Sequence, residues 1–453
     1  MSKYETYKPS GIDWIGEVPS TWKVKRLKDF TIKILGGGTP TTGIEKYWDD
    51  EKTTGIPWVA IADITKAEII VDTDKFITAE GLAASSTQLI EKGKILYSIY
   101  ASLGKVAVAG RELATNQAIL SIYENPVLSN VNYLKYCLKG IEDIVGGIGS
   151  STTQNNISLE KLRTIKFPLP TKEEQLLIAN YLDHQTQKID RLIANKKAQA
   201  EKLKELRQIE INNAVTKGLN PIAEMKDNSY EWLGEIPSHW EVRKLKQLLK
   251  PEKNAIKTGP FGSDLKFEDL IEEGIKVYNQ RSVLDNDWES GEGYISKKKY
   301  ETLKTCTIFP DDMVITTRGT IGKVSIFPSN AELGILHPCL MRIQMNSQRI
   351  LNDYLKIIIN DSSFFFEALK LASNATTIDV IYSESLKEVK IPVPPIQEQI
   401  EITSYLQKRI ASTDKLINNI QTQIEKLQEL RKIKIYEAVT GKIKVNAYEQ
   451  ATA

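Results

Sequence analysis

The sequence predicts an α+β protein built twice from one plan. Two domains, each with a twisted, mostly antiparallel sheet and one or two helices, are joined by two long charged helices. Three observations predict this. The phrase WIGEVPSTW, Trp14–Trp22, returns as WLGEIPSHW, Trp232–Trp240, with six of nine letters identical. Two long segments, each with a helix free of Gly and Pro, align with each other without a gap. Between these come middles of short β-rich runs separated by small-residue turns, the pattern of strands and hairpins.

The long segments set the frame. Ile165–Gly218 aligns with Val389–Lys442, so that Gln175 matches Gln399, Tyr181 matches Tyr405 and Asp190 matches Asp414. Each opens with an extended stretch closed by a P-x-P step, Pro168 and Pro170 or Pro392 and Pro394. Proline disfavours helix in the residue before it, so the strand stops there. A helix follows, roughly Lys172 to Val215 and Gln397 to Val439, each a rod of roughly 65 Å. In the second rod Ile410, Ile417, Ile420, Ile424 and Leu427 fall at a/d spacing. In the first, Ile189, Ile193, Ala200 and Leu203 do so, with Lys196 interrupting. Such seams pair as a coiled coil. The alternative is that each rod packs on its own domain.

The middles share a frame despite their divergence. KGKILYSIYASLGKVAVAG, around Gly104, and FPDDMVITTRGTIGKVSIFP, around Gly322, each give a β-run, a small-residue turn and Gly-Lys-Val. TGIPWVAIADI and EEGIKVYNQRSV precede them. ATNQAILSI and LHPCLMRI follow, then a helix, NYLKYCLKGI or DYLKIIINDSSFFFEALKL, then a polar loop. The predicted organisation is an N-terminal segment, 1–20; a first domain, 21–170; a central helix, 171–217; a linker repeating the N-terminal segment, 218–238; a second domain, 239–394; a C-terminal helix, 395–442; and a tail, 443–453.

Composition narrows the class. With 453 residues, 41% hydrophobic and 26% charged, the chain reads as globular with two or three domains. No apolar run reaches the ~18 residues of a membrane span, and MSKYETYKPSGIDW lacks the apolar core of a signal peptide; a cytoplasmic protein is expected. Cys137, Cys306 and Cys339 show no CxxC spacing, and the three histidines, His184, His239 and His337, form no ligand pair, so neither disulfides nor a metal is expected. Net charge is +2, from 60 basic and 58 acidic residues. Any polyanion must therefore meet a local concentration of positive charge.

Enzyme signatures are absent. GTIGKVS, Gly319–Ser325, has two residues rather than four before Gly-Lys, and Val324 follows the lysine, so it is no phosphate loop. LGGGTPTTG, Leu35–Gly43, lacks the strand-loop-helix context and acidic residue of a dinucleotide site. NPVL and VPPI do not match the [DNS]PP[YFW] signature of amino-directed DNA methylation, and EDLIEEGIK is too loosely spaced for a nuclease. No catalytic residue is assigned.

The doubled phrase, the ASLGKV and GTIGKV turns, and the P-x-P step before a helix beginning near EEQ or QEQ resemble the specificity (S) subunit of type I restriction-modification systems. The resemblance covers nearly the whole chain. It implies that each middle is a target-recognition domain reading half of a bipartite, asymmetric sequence in double-stranded DNA. The rods would be antiparallel coiled-coil helices that space the domains with pseudo-two-fold symmetry. Two modification (methyltransferase) subunits and then restriction subunits would assemble on the chain. It also implies no cofactor here: S-adenosylmethionine belongs to the modification partner, ATP and Mg²⁺ to the restriction partner. The rival reading is a coiled-coil scaffold that never touches DNA.

Candidate DNA contacts follow from side-chain chemistry. Arg318 leads, because a guanidinium can donate two bonds to guanine. Thr316, Thr317 and Lys323 surround the same turn, and Lys105 is its counterpart in the first domain. Thr39, Thr41 and Thr42 occupy the glycine-rich loop, matched by Lys257, Thr258 and Ser263. Gln154, Asn155, Asn374 and Thr376 lie in the polar loops, where amides suit adenine and hydroxyls suit bases or phosphates. Asn116, Gln117, Arg281 and His337 complete the set. Each of these loops reads equally as solvated surface. Trp14, Trp22, Trp232 and Trp240 are expected to be packing residues.

Overall fold

The computed structural model describes residues 2–148, 156–228, 230, 232–373 and 377–446. The chain forms two compact units. One combines Met1–Lys197 with Thr422–Ala453; the other is Ala198–Gln421. The long helices run Lys172–Lys217 and Ile396–Val439, 46 and 44 residues, and each is divided between the units.

Both helices begin as the P-x-P steps require. Their first turns hold a buried glutamine whose amide satisfies the backbone around it. Gln175 Nε2 donates to the carbonyls of Leu128 and Pro170, each at 3.0 Å, and its Oε1 accepts the Asn130 N–H at 2.7 Å. Gln399 repeats this with Arg349 and Pro394 (3.0 and 2.9 Å) and the Leu351 N–H (2.8 Å). A buried amide is tolerated only when so satisfied.

Along the first helix the less exposed positions include Ile189, Ile193, Lys196, Ala200, Leu203 and Arg207, alternating four- and three-residue steps. Along the second they include Ile410, Thr413, Ile417, Ile420, Ile424, Leu427 and Arg431. Lys196 therefore keeps the seam's spacing instead of interrupting it, since a lysine can bury its stem while its head stays in water. In the second unit Arg207 meets Asp414 at 3.2 Å while Glu210 meets Arg409 at 2.7 Å. Rising numbers on one helix meet falling numbers on the other, so the helices are antiparallel.

Pairing and docking on a domain occur together. Ile178, Ala179 and Leu182 share a core with Trp22, Phe167, Ile435, Ala438 and Val439 in the first unit. Ile211, Ala214 and Val215 share one with Trp240, Ile391, Ile402 and Leu406 in the second. Each long helix thus gives one end to each core.

This explains the repeated phrase. Trp22 and Trp240 are fully buried, and their indole N–H groups donate to Glu174 (3.2 Å) and Glu398 (2.9 Å) in the first turns of the long helices. The phrase seats the far end of the other helix. In the second unit that helix runs straight on into the phrase. In the first it arrives from the opposite end of the sequence: Lys442 Nζ donates to the Glu17 carbonyl (2.7 Å), Tyr7 Oη to that of Gly441 (3.1 Å), and Ser2 bridges to Lys444.

The domains share a core topology. In the first, strands 31–36, 119–124, 95–98 and 106–109 lie side by side in that order; in the second, 256–258, 340–343, 313–316 and 324–326 do. A second sheet repeats as 114–115, 56–59 and 75–77 against 334–336, 275–278 and 293–295. Pairing is mostly antiparallel; 114–115 with 56–59, and 334–336 with 275–278, are parallel. The predicted helix DYLKIIINDSSFFFEALKL is two helices, Asn352–Asp361 and Phe364–Ser373, broken at the Ser362–Ser363 pair.

Candidate nucleic-acid interface

Four connections meet at one end of each domain's sheets, tied by the same backbone hydrogen bonds. In the first domain Gly37 N–H donates to Ile119 O (3.1 Å), Asn116 N–H to Val59 O (3.0 Å), Ile99 N–H to Ala118 O (2.9 Å) and Gly104 N–H to Ser98 O (3.0 Å). In the second, Gly259 N–H donates to Leu340 O (2.8 Å), His337 N–H to Tyr278 O (2.9 Å), Thr317 N–H to Cys339 O (2.8 Å) and Gly322 N–H to Thr316 O (2.8 Å). Gly37 and Gly259 must be glycine for close approach: a Cβ on either would overlap a carbonyl oxygen, of Asn116 or of His337. Gly104 and Gly322 hold the hairpins with φ of +81° and +75°, which side chains resist.

In the first domain this frame gathers Thr39, Asn116 and Gln117, with the Thr39 hydroxyl bonded to Gln117 Oε1. Asn116 is half-buried and its Oδ1 accepts the Ala118 N–H at 3.1 Å, holding the turn. Thr41 and Thr42 are exposed farther along the glycine-rich loop, where Trp48 Nε1 fixes the Thr41 carbonyl at 3.3 Å.

In the second domain it gathers Arg281, Arg318 and His337. Arg318 is exposed, with no carboxylate within ion-pairing distance among the described residues. Its carbonyl and that of Thr320 accept from Gln280 Nε2 at 3.0 and 2.9 Å, so Gln280 braces the hairpin. Arg281 meets the solvent-exposed Asp285 at 3.7 Å, an interaction of little strength. Burial pushes His337 below its ordinary value, and the Cys339 N–H donates to its Nδ1 at 3.3 Å. Ser263 is exposed; Lys257 and Thr258 are half-buried on strand 256–258.

Four candidates are placed differently from the sequence expectation. Thr316 and Thr317 are buried: the Thr316 hydroxyl accepts the Lys323 N–H (3.0 Å) and that of Thr317 donates to Cys339 O (2.9 Å). They build the hairpin instead of facing outward, because each hydroxyl satisfies a backbone group, one across the turn and one on the neighbouring connection. Lys105 and Lys323 turn back onto the helices, Lys105 to Glu142 at 2.5 Å and Lys323 to the Asn360 carbonyl at 3.3 Å. Gln154, Asn155, Asn374 and Thr376 lie outside the described residues.

Sequence reasoning overlooked Gln280, Tyr100 and Phe261. Tyr100, 44% exposed, stands on the first domain's hairpin where Arg318 stands on the second's. The signal was available, since YASLGKV and RGTIGKV align Tyr100 with Arg318. Among the described residues no group of His, Cys, Asp and Glu is placed to hold a metal, and no helix is long and apolar enough to cross a membrane.

Comparison with known proteins agrees with this architecture. A family model described as the type I restriction modification DNA specificity domain matches residues 19–202 and again 237–426. The chain is 25% identical over 462 residues to the MjaIX type I restriction enzyme specificity subunit of Methanocaldococcus jannaschii, covering 95% of each. It is 23% identical to the EcoBI specificity subunit of Escherichia coli, over 72% of this chain and 69% of that one. In fold it is similar to a chain solved in work on assembly and conformational transition of the type I R-M system, with TM-score 0.70, 15% identity, and 94% of this chain and 99% of that one covered. It is also similar to the HsdS subunit of Thermoanaerobacter tengcongensis, with TM-score 0.51, 15% identity, and 94% and 98% covered.

Proposed function

The chain belongs to the type I restriction-modification DNA specificity family, and on that premise we propose that its two loop clusters read DNA, one half of a bipartite, asymmetric target each. It is a non-catalytic DNA-recognition subunit of a multisubunit complex. The observation that carries the assignment to these loops is a constant frame with changed occupants. The backbone bonds are the same in both domains, while Tyr100 is exchanged for Arg318, Asn116 for His337, and Gly38 and Thr39 for Pro260 and Phe261. A scaffold has no use for identical frames bearing different outward chemistry. A reader of two unlike half-sites needs that arrangement, because base edges are told apart by donor, acceptor and apolar groups.

The same logic supports two modification subunits per chain. The first unit exposes Leu176, Leu192, Leu430 and Ile433; the second exposes their repeat counterparts Ile400, Leu416, Leu206 and Ile209. An apolar set presented twice suits two copies of one partner. In this reading restriction subunits join that complex in the cytoplasm. S-adenosylmethionine is carried by the modification partner, ATP and Mg²⁺ by the restriction partner, and this chain holds no cofactor.

Methylome sequencing of a host carrying this chain with its modification partner tests the reading. Methylation at a split, asymmetric motif is expected. A contiguous or palindromic motif would overturn the assignment of one half-site to each domain.

A further inference from the structure

In the second domain the loop cluster presents one large side chain that can form no hydrogen bond to a base. Phe261 is 73% exposed. The loop beneath it is anchored. Gly259 is fixed by its N–H to Leu340 O at 2.8 Å and pressed against His337 O, Pro260 is buried, and the Asp264 N–H donates to Phe261 O at 2.7 Å. The ring is thus held out on a stiff base, not on a free tether.

Its surroundings favour nucleic acid. The ring sits two residues from the glycine that contacts His337, in the cluster that also carries Arg281 and the exposed Arg318. Lys253, Lys257 and Lys266 lie in the same segment, against the single carboxylate of Asp264. Basic groups hold phosphates, and an exposed apolar ring in the same cluster has base faces as its natural contact.

Deepening the proposed function and resting on it, we infer that Phe261 is an apolar wedge that enters between neighbouring base pairs of the second domain's half-site. A wedge unstacks one step and kinks the duplex, so the contact is read through the deformability of that step. In the first domain Thr39 stands where Phe261 does, followed by Pro40, Thr41 and Thr42, so a wedge at this position belongs to the second half-site alone.

The test uses the full chain with its modification partner and a duplex carrying the motif from methylome sequencing, labelled at both ends for energy transfer. Wild type is compared with Phe261→Ala, Phe261→Leu and Phe267→Ala. Phe267 is 87% exposed but stands farther along, in the 267–269 turn. The wild-type complex is expected to bend the duplex. Phe261→Ala should lose most of the bend and weaken binding about ten-fold, Phe261→Leu should keep much of both, and Phe267→Ala should match wild type. An unbent wild-type complex, a bend that survives Phe261→Ala, or an equal loss in Phe267→Ala overturns the wedge while leaving DNA reading intact. If the wild-type complex prefers no duplex at all, the functional reading itself fails, and the wedge with it.

Discussion

Arg431 meets Asp190 at 3.0 Å across the paired helices, and the repeat counterparts of both residues, Arg207 and Asp414, meet at 3.2 Å. Each arginine also ties its helix to a domain. Arg207 reaches Asp361 at 3.1 Å, and Arg431 reaches Glu68, which Lys139 also contacts. Burial would push the Glu68 carboxyl up, but Lys139 and Arg431 together hold it below the usual carboxylate range.

These pairs register the helices, and a double-mutant cycle should reveal it. Arg431→Ala with Asp190→Ala is expected to show a coupling of about 0.5–1 kcal/mol in urea unfolding. Arg431→Ala alone should cost more than Asp190→Ala, because it also strips Glu68 of one of its two cations. A coupling of zero would reduce the pair to surface decoration.

Arg318→Ala is expected to relax one half-site by about 1–3 kcal/mol and leave the other untouched. Binding to duplexes mutated in each half separately measures this. Equal relaxation of both halves would contradict one domain per half-site.

The seam predicts a ruler. Removing a matched heptad from both helices, Lys196–Lys202 and Ile420–Lys426, keeps the four-three spacing and should alter the preferred gap between half-sites. Methylome motifs of the shortened and original chains would show it, and an identical gap would mean the helices do not set it.

Trp240→Ala should destabilise the second unit by about 3–5 kcal/mol, the cost of emptying a buried tryptophan site. Its denaturation midpoint should fall while the methylated motif of the surviving protein stays the same, because the indole touches Glu398 and the core and not the loops. A changed motif would make the phrase part of the reading surface.

Lys244 and Lys246, the latter at 2.7 Å, hold the Glu388 carboxyl down at about 2. A carboxylate lowered on folding stabilises above its unfolded value, about 4.3, and loses that contribution as pH falls through the folded one. Glu388→Gln should therefore lower the melting temperature at pH 6 and converge with wild type near pH 2.

The sequence disclosed most of the architecture because its signals are local. P-x-P steps, uninterrupted heptads and a turn glycine each constrain a few neighbouring residues, so both long helices and the hairpins at Gly104 and Gly322 were legible. Orientation was less so. Thr316 and Thr317 are as polar as any loop residue, and only their burial and their hydroxyl bonds to Lys323 N–H and the Cys339 carbonyl show that they point inward. Lys105 and Lys323 look like outward charges until Glu142 and the Asn360 carbonyl are placed beside them. Lys196 seemed to break a seam that a long aliphatic stem can continue. Phe261 was hidden by the opposite habit, that of assuming a phenylalanine is inside.

One unit is contiguous, Ala198–Gln421, whereas the other needs residues from both extremes of the sequence. A ribosome emits them in that order. The lobe begun first is therefore finished last: Trp22 has no complete seat until Ile435, Ala438 and Val439 emerge, after every residue of the second lobe has been made. A pause late in translation would expose that unfinished seat to chaperones, and a premature stop beyond residue 421 would release a finished lobe attached to an open one.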